Sequence, residues 1–106
     1  MSDETLLALS TFPDPDTARR IATELVTGKL AACANILPAV ESIYRWEGKM
    51  ESASETLVFF KTTAARYSAF QDKLKSLHPY DVPEIISVRL EDGLPEYLRW
   101  VGESCG

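Results

Sequence analysis

Val40-Glu41-Ser42-Ile43-Tyr44-Arg45-Trp46-Glu47-Gly48-Lys49 is the stretch that decides the fold of this chain. From 40 to 46 it reads as an extended strand, with Ser42, Tyr44 and Trp46 on one face and Glu41, Ile43 and Arg45 on the other. Glu47-Gly48-Lys49 is a turn, so the chain doubles back as a hairpin. The return strand ends in Thr56-Leu57-Val58-Phe59-Phe60-Lys61-Thr62, which is rich in the β-branched and aromatic side chains that favour strands.

On either side of the hairpin lie a helix and a strand. Leu6-Leu7-Ala8-Leu9-Ser10-Thr11-Phe12 is a short apolar strand, stopped by Pro13. Asp14 is an N-cap, Pro15 suits the first helical turn, and Asp16 favours the positive end of a helix. Ala18, Ile21, Ala22, Leu25 and Val26 then recur at helical spacing, and Gly28 ends the run. Residues 30–37 form a strand between Gly28 and Pro38, although their alanines also suit a helix. Beyond the return strand, Thr63 caps a second helix whose stripe is Tyr67, Phe70, Leu74 and Leu77, and His78-Pro79 closes it. A rigid loop at 80–84 leads to a strand at 85–90. Glu91-Asp92-Gly93 turns the chain, and Leu94, Tyr97, Leu98 and Val101 mark a short final helix.

The order β-α-β-β-α-β-α predicts an α+β, ferredoxin-like split βαβ domain: an antiparallel sheet with helices on one face. At 106 residues the chain makes one domain, 1–106. In this topology the second strand lies at an edge. Tyr44 and Trp46 would put large rings on that unpaired edge, which predicts self-association through the hairpin.

Sixteen acidic residues against eleven basic ones give a net charge of −5, the wrong sign for a non-specific nucleic-acid or anionic-membrane binder. No apolar run reaches the length of a membrane span, and the start, Met1-Ser2-Asp3-Glu4, lacks a basic leader. Two distant cysteines make no disulfide scaffold. Reduced thiols in a cytoplasm are the expectation, with Cys33 a buried small hydrophobe and Cys105 a mobile, exposed thiol.

No Gly-x-Ser-x-Gly elbow, phosphate loop or dinucleotide fingerprint is present, so the chain is not read as an enzyme and no organic cofactor is expected. Candidate chemistry gathers at His78-Pro79-Tyr80-Asp81-Val82-Pro83-Glu84. There, nitrogen and oxygen donors lie close together on a stretch stiffened by two prolines. His78 is read either as a metal ligand or as a helix-end residue that satisfies terminal carbonyls. Lys61 is read either as a solvated strand end or as a cation that binds an anionic ligand or pairs with Glu55 or Glu84. Tyr44, Trp46 and Trp100 could line an aromatic pocket, although packing is the more ordinary role for them.

Several segments together resemble the divalent-cation tolerance family, CutA-like proteins. They are Gly28-Lys29-Leu30-Ala31-Ala32-Cys33-Ala34-Asn35, Ser42-Ile43-Tyr44-Arg45-Trp46-Glu47-Gly48-Lys49, Lys61-Thr62-Thr63, His78-Pro79-Tyr80-Asp81-Val82-Pro83-Glu84 and Tyr97-Leu98-Arg99-Trp100. The resemblance implies a cytoplasmic homotrimer, non-catalytic and linked to tolerance of copper or other divalent metals, with Cu²⁺ or Zn²⁺ as the bound ion. His78 and Glu84 are the metal ligands expected on this chain. Some members carry Cys where this chain has Ser10, and a second His where it has Leu77; both changes remove donors that copper prefers. The alternative is a trimeric small-molecule sensor with clefts between subunits, using Lys61, Tyr80 and Trp46 as the ligand pocket.

Overall fold

The sheet is built around β3, the return strand of the hairpin. The computed structural model describes residues 4–106; the acidic start at Met1, Ser2 and Asp3 lies outside the described residues. The elements are β1 (Thr5–Phe12), α1 (Pro15–Thr27), β2 (Cys33–Trp46), β3 (Lys49–Thr63), α2 (Ala64–Leu77), β4 (Ile86–Arg89) and α3 (Pro95–Ser104). Spatial order is β2-β3-β1-β4, and every neighbouring pair is antiparallel. This is the split βαβ arrangement, with β2 at one edge and β4 at the other.

Local chemistry places the helices. The Asp14 carboxylate accepts the Thr17 backbone N–H at 2.7 Å, and Pro15 opens α1. Those backbone and side-chain hydrogen bonds from Thr17 hold the Asp14 carboxyl below its ordinary pKa. Thr63 caps α2 in the same way, accepting from Arg66 N at 3.3 Å. Ala18, Ile21, Ala22 and Leu25 of α1 and Phe70 and Leu74 of α2 are buried against one sheet face. Cross-strand register puts Ala34, Phe60 and Ala8 in one row of that face and Ile36, Val58 and Ser10 in the next. α3 packs apart from these helices, burying Val101 and Cys105 against Ala32.

Four expectations change. Residues 30–37 and 40–46 are not two strands divided at Pro38: β2 runs through, with a bulge between Leu37 and Val40. A proline needs no ladder donor at an edge-strand bulge, and here its carbonyl accepts the Thr56 hydroxyl at 3.1 Å. Cys105 is buried rather than exposed, and its backbone carbonyl accepts the Arg66 Nε–H at 2.6 Å. Cys33 is only half-buried, because it faces away from the main core. Lys61 pairs with neither Glu55 nor Glu84; its ammonium donates to the Asn35 side-chain oxygen across β2.

Two surfaces remain open. The opposite sheet face carries Leu7, Leu9, Leu37, Leu57 and Phe59, all half-buried, beside exposed Ile86 and Val88. β1 accompanies β3 only as far as the pair Phe12–Thr56, so residues 40–55 project as a two-stranded arm. Its turn places Glu47 at φ 51° and Gly48 at φ 78°, the left-handed pair a two-residue hairpin turn requires.

Ser10 is fully buried, and its hydroxyl has no hydrogen-bond partner among the described residues. A polar group desolvated without a partner costs stability. Ser10→Ala will therefore raise folding stability by about 1 kcal/mol, read as a higher urea midpoint at unchanged slope. A lower midpoint would show that the hydroxyl is bonded.

Candidate functional site

Three elements meet at the root of the arm. β1 ends there at Thr11 and Phe12, α2 ends there at His78, and β3 passes through with Glu55 and Thr56. His78 is the C-cap of α2, its backbone N–H donating to Leu74 at 2.9 Å, and it is 8% exposed. Its ring stacks on Phe12 with centroids 4.7 Å apart and leans on Tyr80 at 4.8 Å.

Both ring nitrogens are engaged. Nε2 lies 2.8 Å from the Thr11 carbonyl, and Nδ1 lies 3.2 Å from the Tyr80 backbone nitrogen. A carbonyl only accepts and an amide only donates, so the ring is the neutral tautomer with its proton on Nε2. Neither nitrogen then has a lone pair to spare, and a metal would reach His78 only by displacing one of these bonds. His78 does end α2, but its ring bonds the β1 carbonyl of Thr11 and the Tyr80 amide rather than the terminal carbonyls of the helix.

The Tyr80 hydroxyl donates to the Glu55 carboxylate at 2.6 Å. Burial, then this bond, pushes the Tyr80 phenol above its ordinary pKa. Sequence reasoning placed Tyr80 in the site but gave Glu55 only as a partner for Lys61. The signal for its real role was position: Glu55 is the acid directly before the apolar end of the return strand, where the arm leaves the body.

The remaining predicted residues lie elsewhere. Glu84 is exposed on the loop after Tyr80. Trp46 pairs with Lys49 at the arm tip, and Lys61 lies twelve residues further along β3. At a strand's rise per residue that is about 40 Å, so Lys61, Tyr80 and Trp46 do not share a pocket within one chain. Trp100 packs on Tyr97, at the far end from the arm tip. There the Tyr97 hydroxyl lies 3.5 Å from the Cys33 thiol, and that contact, with burial, pushes the Tyr97 phenol up to about 12. Tyr44 and Trp46, the predicted interface pair, are 42% and 48% exposed. Among the described residues no group of three or more His, Cys, Asp or Glu side chains could hold a metal ion.

His78 is the single histidine of the chain. Burial pushes its pKa below the ordinary 6.5, against the Thr11 carbonyl and the Glu55 carboxylate, which pull it up. Below 6.5 the unfolded chain takes up a proton that the native ring resists, so stability rises with pH across that window. The urea midpoint will fall between about pH 7 and pH 5, and a His78→Gln variant will lack this component. A midpoint that climbs on acidification would contradict the neutral, doubly bonded ring.

Residues 6–104 match the family described as CutA1 divalent ion tolerance protein. A Thermus thermophilus protein, "Divalent-cation tolerance protein CutA", is 43% identical over 100 residues, 94% of this chain and 97% of that one. A Xenopus laevis relative, "Protein CutA homolog", is 46% identical over 96 residues; the match takes in 91% of this chain but only 64% of the relative's length. The crystal structure of CutA from Xylella fastidiosa superposes with a TM-score of 0.94 at 42% identity, covering 97% of this chain and 99% of that one. Among the described residues no helix is long and apolar enough to cross a membrane.

Proposed function

Because this chain belongs to the CutA1 divalent ion tolerance family, we propose that it serves divalent-cation tolerance as a non-catalytic homotrimer that binds copper or zinc. The observation that carries the assembly is the arm. An isolated two-stranded hairpin is marginally stable in water. This one leaves Ile43, Tyr44, Trp46 and Met50 exposed, and the sheet behind it keeps a half-exposed apolar face. Neighbouring copies of the same chain would cover both.

The metal is cargo, and its site lies between chains. Among the described residues no three His, Cys, Asp or Glu donors converge, so a single chain would contribute ligands such as the exposed Glu84 carboxylate rather than a closed site. Donors from more than one subunit would complete it, with Glu84 as the ligand this chain supplies most readily. A cytoplasmic location belongs to the same reading. Calorimetric titration of the purified protein with Cu²⁺ and with Zn²⁺ tests the metal role. Saturable binding that weakens in Glu84→Gln supports it, and no binding of either ion at millimolar concentration overturns it.

A further inference from the structure

We infer that His78, Tyr80 and Glu55 form a buttress that sets the direction of the arm at residues 40–55, which makes them positioning residues for assembly. The three side chains form one continuous connection between the body and the arm. It starts at the Thr11 carbonyl at the end of β1, passes through the two nitrogens of His78 to the Tyr80 backbone, and ends where the Tyr80 hydroxyl holds the Glu55 carboxylate. Glu55 is the first residue of β3 beyond the reach of β1. On the other strand of the arm, the Thr56 hydroxyl fixes the Pro38 carbonyl within the bulge. Both strands are therefore tied at the point where they leave the sheet.

The need for such a tie follows from the length of the arm. From Glu55 to Gly48 the ribbon extends about 23 Å. A swing of roughly 10° at the root would move the tip about 4 Å, close to the spacing between neighbouring strands. An arm loose at its root would therefore meet a partner out of register. Two-stranded ribbons also twist more than wide sheets, so their direction has to be imposed from outside. Phe12 stacked on the His78 ring holds the middle of the connection in place. Pro79 and Pro83 restrict the loop that carries Tyr80.

Amide hydrogen exchange on the purified wild-type and variant chains, at equal protein concentration, tests this. Tyr80→Phe keeps the ring and removes only the hydroxyl. Exchange at residues 41–54 will accelerate by about tenfold to a hundredfold, the factor carried by a hydrogen bond to a carboxylate, while β1 and residues 58–62 keep their wild-type rates. Glu55→Gln retains a weaker, neutral oxygen that accepts from Tyr80 and will fall between wild type and Tyr80→Phe. Glu55→Ala will match Tyr80→Phe, and the double variant will exceed neither. Unchanged exchange in the arm overturns the buttress, and so does an equal acceleration across β1, which would mean a general loss of stability.

The second readout rests on the self-association proposed above: Tyr80→Phe will assemble about tenfold more slowly than wild type after dilution and reconcentration. Wild-type assembly is measured in the same experiment. A wild-type chain that stays monomeric overturns the homotrimer while the exchange data still decide the buttress. Equal assembly rates in a wild type that does associate overturn the positioning role.

Discussion

A Phe60→Ala variant will lose about 3–5 kcal/mol of folding free energy, among the largest effects expected of a single truncation in this chain. Phe60 lies on β3 with no solvent exposure and meets the Phe70 ring of α2 edge-on, with centroids 5.1 Å apart. Its neighbours in register are Ala8 on one side and Ala34 on the other. Both side chains are too short to move into the space a phenyl ring leaves, so the cavity persists and its cost adds to the lost burial. Single domains are worth about 5–15 kcal/mol in all, which makes this a large fraction of the total. Urea unfolding checks it: the midpoint should drop sharply at an unchanged slope. Phe59→Ala is the matched control, since Phe59 lies half-buried on the open face and its removal leaves the helix-side core intact. A loss below about 1 kcal/mol in Phe60→Ala would place the core elsewhere.

Trp46→Glu will weaken self-association by about 30-fold or more while leaving the fold in place. Trp46 is 48% exposed at the arm tip, outside the core formed by β1, β3 and the two long helices. Folding therefore asks little of it. Association asks much: tryptophans at interface centres are common hot spots, with truncation costs of about 2 kcal/mol or more, which is about 30-fold in a dissociation constant. Glutamate adds a charge that would have to be desolvated in any interface built on that edge. Sedimentation equilibrium gives the association constant and circular dichroism the fold. An unchanged association constant would remove the arm tip from the interface, and a lost fold would show that Trp46 packs where its exposure says it does not.

The fold was legible because its punctuation is chemical. Asp14-Pro15 and Thr63 mark helix starts by their capping chemistry, and Glu47-Gly48 marks the turn by its left-handed backbone; Gly28 lies at the end of α1 as expected, although the left-handed residue there is Lys29. Pro38 misled because a proline inside a strand reads as a stop; only the sheet shows that β2 is an edge, where a bulge accommodates it. Cys105 misled because residues beside a terminus read as exposed, and no local pattern reveals that α3 carries it back against Ala32. The candidate site was legible as residue types but not as bonds. The segment from His78 to Glu84 stood out through its donors and prolines. That His78 spends both nitrogens on backbone groups depends on Thr11, 67 positions away, and no spacing rule reaches that far. Lys61 and Trp46 were grouped with Tyr80 by chemistry, and the length of β3 separates them.

Native mass spectrometry of the purified chain, with and without added Cu²⁺, tests the central claim most directly. The account predicts one dominant species at three times the 11.8 kDa chain mass, gaining copper ions in whole numbers when the metal is added. A monomer that stays bare at excess copper would contradict both the assembly and the metal role.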